Sequence, residues 1–219
     1  MKKALTSRSF STAFLSVSAL LFHLVSTHAD SQDTILWIRT GGPPGGLGYD
    51  IRYNPGQPNI WYVTDANGGV HRSIDNGYHW EAANKGIATY SGFTNDNIPA
   101  FCLTVNPHNP SHIWAGTQNS GHLYKSVDQG LTWTESDEGI TVEYDALSFR
   151  GITFDPVSPD IMYAMGETTS EALGGPYVWG SGTGGVIYKS TNGGQNWTMI
   201  WDGGVPSSLA RYMWIDPGD

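Results

Sequence analysis

The chain has 219 residues, with 20 Asp+Glu against 11 Lys+Arg and a formal net charge of −9. That length suits one domain or part of one, and the acidic balance leaves no basic stripe to neutralise a phosphate backbone, which excludes nucleic acid as a partner. Cys102 is the single cysteine; it excludes an internal disulfide, and its setting in FCLTV marks it as a small buried side chain, not a nucleophile.

Residues 1–29 read as a signal peptide. Lys2, Lys3 and Arg8 open it, the run FSTAFLSVSALLFHLV follows, and Thr27 and Ala29 stand as small residues before a cleavage point. Ser11, Thr12, Ser16, Ser18 and His23 interrupt the run, which tells against a membrane span. The expectation is a secreted or periplasmic protein, off the membrane once cleaved.

From residue 30 onward the class is all-β. The sequence holds 28 Gly, 12 Pro and 9 Trp, with only 14% charged residues. Short aromatic and β-branched runs alternate with Gly/Pro/Asn/Asp clusters, and no helical period follows the leader. TILWIRTGG (34–42) reads as the last strand of a repeat that lacks its first three, so 34–40 is expected to be a ring-closing strand. YDIRYNPGQPNIWYVT (49–64) is then echoed by FCLTVNPHNPSHIWAGT (101–117), by FRGITFDPVSPDIMYAM (149–165) and by RYMWIDPGD (211–219). The anchoring prolines Pro55, Pro107, Pro156 and Pro217 recur about every fifty to sixty residues, a period typical of repeat architectures.

Each full copy closes with an octet of the form Ser-x-Asp/Asn-x-Gly-x-x-Trp. The octets are SIDNGYHW (Ser73, Asp75, Gly77, Trp80), SVDQGLTW (Ser126, Asp128, Gly130, Trp133) and STNGGQNW (Ser190, Asn192, Gly194, Trp197). One copy holds four strands, A to D; in the second they are expected near 101–106, 112–117, 121–126 and 132–136. Four strands at this period are the signature of a β-propeller blade, with blades at 47–84, 98–136 and 148–202 and a fourth begun at 209–219. Rings have about four to eight blades. Residues 30–219 are therefore expected to be a partial propeller, the N-terminal part of a longer protein whose remainder is a partner. The octet falls on the C–D hairpin. Its Asp or Asn accepts backbone N–H groups a residue or two on, its Gly supplies a positive φ, and its Trp packs between neighbouring sheets. All twelve named octet residues are read as structural. The octet resembles the Asp-box of the sialidase, sortilin and xyloglucanase-like propellers, over nearly the whole chain after the leader.

Hairpins alternate ends. Asp75 lies on a C–D turn and Asp65 on the B–C loop TDANGG, so the two should face opposite ends of the blade. The B–C and D–A loops, 85–97, 136–148 and 166–185, carry Tyr90, Phe93, Tyr144, Tyr177 and Trp179, with Asp96, Glu143, Asp145 and Glu167 nearby. Loops at one end of a rigid scaffold are where binding concentrates. Aromatic planes suit the apolar faces of sugars and carboxylates suit hydroxyls, so the five aromatics are candidate substrate-binding residues.

GYDIRYNPGQPNIWYVTDANGGVHRS resembles the opening blade of glycoside hydrolase family 74, the xyloglucanases. The resemblance implies that Asp65, flanked by Thr64, Gly68 and Gly69, is one of two catalytic carboxylates, and that GGPPGGLGY (41–49) is the family's Gly-rich stretch. The chain departs from the family at Val63, where Arg is usual, and in having two residues, Ala66 and Asn67, before Gly-Gly. The family's second carboxylate belongs to a second propeller that this chain does not reach. Inversion needs both, about 6.5–9.5 Å apart, so the chain alone is not expected to be active. The reading is the N-terminal part of a secreted hydrolase acting on β-glucan or xyloglucan-type polysaccharide. The alternative is a non-catalytic, sortilin-like propeller binding protein or glycan.

No cofactor is expected, and no metal: His108 and His112 have ligand-like spacing but fall in an A–B turn. Asn196-Trp197-Thr198 is a glycosylation triplet whose Trp belongs to the octet. Gly-x-Ser-x-Gly is absent. The Arg-Ile-Pro segment of sialidases is also missing, the early arginines being Arg39, Arg52 and Arg72.

Overall fold

A computed structural model describes residues 42, 48–91, 94–140, 147–168, 184–202 and 210–218. All belong to one compact unit, Arg39–Asp219. The leader 1–29 and the strand expected at 34–40 lie outside the described residues, which contain no helix.

The unit is all-β and of β-propeller type. Three four-stranded antiparallel sheets follow one another along the chain. The first contains β1 (Gly48–Asn54), β2 (Gln57–Asp65), β3 (Gly69–Ser73) and β4 (Glu81–Ala82). The second contains β5 (Ala100–Val105), β6 (Ile113–Thr117), β7 (Leu123–Ser126) and β8 (Thr134–Glu135). The third contains β9 (Leu147–Phe154), β10 (Met162–Thr168), β11 (Gly184–Ser190) and β12 (Thr198–Trp201). The fourth strand of the second sheet is shorter than the expected 132–136. The reason is that Trp133 N–H leaves its own sheet and donates to Lys85 C=O of the preceding one at 2.9 Å.

Local turn chemistry repeats with the sheets. The residue before each anchoring proline makes the A–B turn. Asn54 Oδ1 accepts from Gly56 and Gln57 N–H, Asn106 Oδ1 from His108 and Asn109 N–H, and Asp155 Oδ1 from Val157 and Ser158 N–H. The proline then fixes φ for the turn. In the octets, serine closes the loop: Gly77, Gly130 and Gly194 N–H donate to Ser73, Ser126 and Ser190 Oγ at 2.9, 2.8 and 2.9 Å. The Asp or Asn reaches farther than expected, accepting from the N–H four residues on: His79 to Asp75, Thr132 to Asp128 and Asn196 to Asn192. Two consecutive residues hold positive φ in each octet: Asn76 and Gly77, Gln129 and Gly130, Gly193 and Gly194.

Packing between sheets uses one set of contacts twice. Tyr62 O–H donates to Gln129 C=O in the next sheet's octet at 3.1 Å. At the equivalent place Lys125 Nζ spans the Trp114 ring at 4.6 Å and donates to Gly193 C=O at 3.2 Å. In the reverse direction Trp133 Nε1–H donates to Ala83 C=O at 2.7 Å and Trp197 Nε1–H to Ser136 C=O at 2.8 Å. Gly86 and Gly139, at φ +98 and +90, lie so close to this junction that a Cβ would sit 2.1 and 2.2 Å from the Trp133 and Trp197 carbonyl oxygens. Apolar clusters fill the two junctions. Ile60, Tyr62 and Val70 pack with Leu103, Tyr124 and Trp133; Trp114 and Leu123 pack with Phe149, Phe154, Tyr188 and Trp197. Cys102 is buried in the second junction, where burial pushes its thiol up to about 12.

The octet tryptophans are not all equivalent. Trp133 and Trp197 are each 3% exposed, but Trp80 is only half-buried, and its indole N–H donates within its own octet, to Gly77 C=O at 2.9 Å. Trp133 and Trp197 thus each reach back to the preceding sheet, whereas the Trp80 indole stays within its own loop. Residues 210–218, where a fourth copy was expected to begin, run beside β9 without strand pairing, and Thr153 O–H donates to Met213 C=O at 3.1 Å.

Candidate functional site

Register places the two aspartates at opposite ends of the first sheet. Asp65 pairs with Gly69 at one end of β2 and β3, whereas Ser73, which opens the Asp75 octet, pairs with Trp61 at the other. Asp75 is committed to its turn: it accepts from His79 N–H, the His79 ring and Ser73 O–H, which hold its carboxyl down at about 2.

Asp65 is 4% exposed. Its Oδ1 accepts Asn67 and Gly68 N–H, both at 2.8 Å, so the carboxylate is fixed in orientation by the turn that follows it. Thr64 O–H donates to Phe101 C=O of the second sheet at 3.1 Å and accepts Asp50 N–H at 3.1 Å. The extra residue of the loop is used: Asn67 C=O accepts Ile98 N–H at 3.0 Å, and Asn67 Oδ1 accepts from Asn97 Nδ2 at 3.1 Å. Asn84 closes the loop from below, donating to Gly68 C=O at 3.0 Å and accepting Val70 N–H at 2.7 Å. Gly69 has φ +78, and a Cβ there would lie 2.4 Å from Asn84 Oδ1, which accounts for the second glycine of the motif. His71, 4% exposed, packs beneath Gly68; burial pushes its imidazole down from the ordinary value, against a partial upward pull from Asp65.

Of the aromatics expected to bind substrate, Tyr90 is 51% exposed in the β4–β5 connection. Phe93, Tyr144, Tyr177 and Trp179 lie outside the described residues, as do Glu143 and Asp145. Asp96 is exposed and accepts the Thr94 hydroxyl. Glu167, at the end of β10, is bonded to Arg150 and Arg211. His108 and His112 hold turns: His108 Nε2 lies 3.2 Å from Asp155 C=O, and Asn109 Nδ2 lies 3.3 Å from His112 Nε2.

Sequence reasoning passed over a second group at this end of the second sheet. His122 Nδ1 lies 2.7 Å from Asp137 Oδ2 and 3.7 Å from Glu135 Oε1. One ligand atom from each of these three residues falls within a 4.8 Å span, so among the described residues this is where a metal ion could be held. The Asp137 hydrogen bond, more than burial opposes it, raises the His122 pKa. The repeat carried the signal: Asn84 stands four residues after Trp80, and Asp137 four after Trp133.

No protein-family model matches the chain. It is 31% identical over 98 residues to a probable oligoxyloglucan-reducing end-specific xyloglucanase of Neosartorya fischeri, a match covering 45% of this chain and 10% of that protein. It is 29% identical over 149 residues to a xyloglucanase of a Paenibacillus species, covering 61% of this chain and 13% of that one. The chain thus spans only a small share of the length of these relatives. Among solved structures, an ancestral enzyme of glycoside hydrolase family 74 superposes on 80% of this chain and 21% of its own with a TM-score of 0.55 at 23% identity. That similarity shows the propeller fold.

Proposed function

We propose that this chain is the opening part of a secreted glycoside hydrolase acting on xyloglucan-type β-glucan, that its octets are Asp-boxes, and that Asp65 is one of the two carboxylates of an inverting mechanism. The carrying observation is the Asp65 carboxylate, held by the Asn67 and Gly68 amides at the loop end of β2 in a Thr-Asp-x-x-Gly-Gly segment. The similarity to two xyloglucanases supports the substrate class.

In the reaction one carboxylic acid protonates the leaving glycosidic oxygen while the other carboxylate takes a proton from the attacking water. Orientation is what this chain contributes. Two amides fix Asp65 Oδ1, and Thr64 ties the same strand end to the second sheet. The partner carboxylate comes from outside the described residues.

The test is xyloglucan hydrolysis by the intact protein and its Asp65→Asn variant. The amide keeps an acceptor for the two N–H groups, so folding is retained, and the rate should fall by about 10²–10⁴, the usual worth of an acid/base group. Wild-type rates in Asp65→Asn would reject the assignment. One observation favours the non-catalytic, glycan- or protein-binding reading: Asp65 is 4% exposed and already serves its turn. Absence of hydrolysis by the wild type on any β-glucan, together with retained glycan or protein binding, would select that reading.

A further inference from the structure

Four residues occupy one register position, six before Pro55, Pro107, Pro156 and Pro217: Tyr49, Phe101, Arg150 and Arg211. They lie on the first strand of each sheet and on the segment beside β9, and the structure joins them into one row. The Tyr49 and Phe101 ring centroids are 3.8 Å apart. The Arg150 guanidinium lies 4.2 Å from the Phe101 centroid and 5.9 Å from that of Tyr49. Arg150 is held over the Phe101 ring by Glu167, whose Oε2 accepts from Nε at 2.8 Å and from Nη2 at 2.7 Å. Glu167 Oε1 accepts from Arg211, which ends the row.

Core packing alone accounts for Phe101, which is 3% exposed, but not for the others. Tyr49 is 40% exposed, and the Arg150 and Arg211 side chains are 23% and 57% exposed. The row also starts beside the proposed catalytic carboxylate, because Gly48 is the β1 partner of Asp65.

The geometry points to a saccharide-positioning platform running from Asp65 across the first strands of the three sheets, with Tyr49 as its stacking surface and Arg150 and Arg211 as its hydrogen-bonding surface. Its chemistry fits a neutral glycan chain. An aromatic face and a stacked guanidinium present flat surfaces to the C–H faces of pyranose rings, while the guanidinium edges donate to hydroxyls. Glu167 offsets charge from both arginines, and the acidic protein around them repels a polyanionic chain. This inference rests on the proposed hydrolase reading and names the residues that would hold its substrate.

The test is calorimetric titration of the intact wild type and the variants Tyr49→Ala, Tyr49→Phe and Arg211→Ala, with a xyloglucan oligosaccharide and, separately, an oligogalacturonate. Melting curves check that each variant is folded. The platform requires xyloglucan binding that weakens roughly three- to tenfold in Tyr49→Ala and in Arg211→Ala and is retained in Tyr49→Phe, with melting temperatures near wild type. Wild-type affinity for xyloglucan in both alanine variants would overturn the platform and leave the hydrolase reading standing. Preference of the wild type for oligogalacturonate, weakened in the same variants, would overturn the neutral-glycan assignment and the xyloglucanase reading together. Binding of neither sugar by the wild type would overturn both proposals.

Discussion

Removing the Trp133 indole should cost far more than removing that of Trp80, although the two occupy the same octet position. Trp133 is 3% exposed, sits between the first and second sheets with Tyr62 and Leu103, and donates to Ala83 C=O at 2.7 Å. Trp133→Ala therefore loses a large buried ring, about 3–5 kcal/mol, and leaves a carbonyl without its donor, about another 1 kcal/mol. Trp133→Phe keeps most of the volume and should cost roughly 1–3 kcal/mol. Trp80 is half-buried and bonds within its own loop, so Trp80→Ala should cost about 1 kcal/mol, within the common range for partly exposed sites. Denaturant unfolding followed by circular dichroism measures all three, and a shoulder in the Trp133→Ala curve would report uncoupling of the first sheet. Equal losses at Trp80 and Trp133 would refute the reasoning, because the difference is assigned entirely to what lies beside each ring.

Three further outcomes follow from the same contacts. Gly86→Ala should cost more than the roughly 1–3 kcal/mol of backbone strain, since its Cβ would lie 2.1 Å from a carbonyl oxygen at φ +98, whereas Gly193→Asn should be near neutral in thermal melts because Asn76 holds the same loop position at φ 61. Asp128→Ala should lose about 1–2 kcal/mol through three bonds, from Ser126 O–H, Thr132 N–H and Thr132 O–H, while Asp128→Asn should be nearly silent by the same assay, as Asn192 makes the equivalent turn. The His122–Asp137 contact raises the imidazole pKa in the folded state. Its stabilisation is thus complete below the unfolded value of about 6.5 and is lost as pH rises through the raised one; melting temperature should fall across that window, and His122→Gln should flatten the fall.

The turns were readable in the sequence because they are local. Asn54, Asn106 and Asp155 bind amides two and three residues on, and the octet serines bind the glycine four residues on, so side chain and partner sit in one short string. The all-β class followed from the same alternation of strand runs and turn clusters. Even there the division of labour was misjudged, since the serine hydroxyl closes the octet and the aspartate spans it. The opposite ends of Asp65 and Asp75 also followed from hairpin alternation, which is a property of chain order.

What the sequence by itself could not decide is which side chains meet across sheets. Trp133 reaches Ala83, Lys125 reaches Gly193, and Arg150 stacks on Phe101; these partners are about fifty to seventy residues apart and meet only when the register of two sheets is set. Trp80 looks like Trp133 in sequence, yet its indole N–H bonds within its own octet whereas that of Trp133 crosses to the neighbouring sheet. Asp65 shows the same limit: its spelling announced a turn, but only the fold put that turn beside Tyr49 and above a buried His71. Local hydrogen bonds are written in adjacent residues, whereas burial and charge environment belong to surfaces that do not exist until the sheets pack.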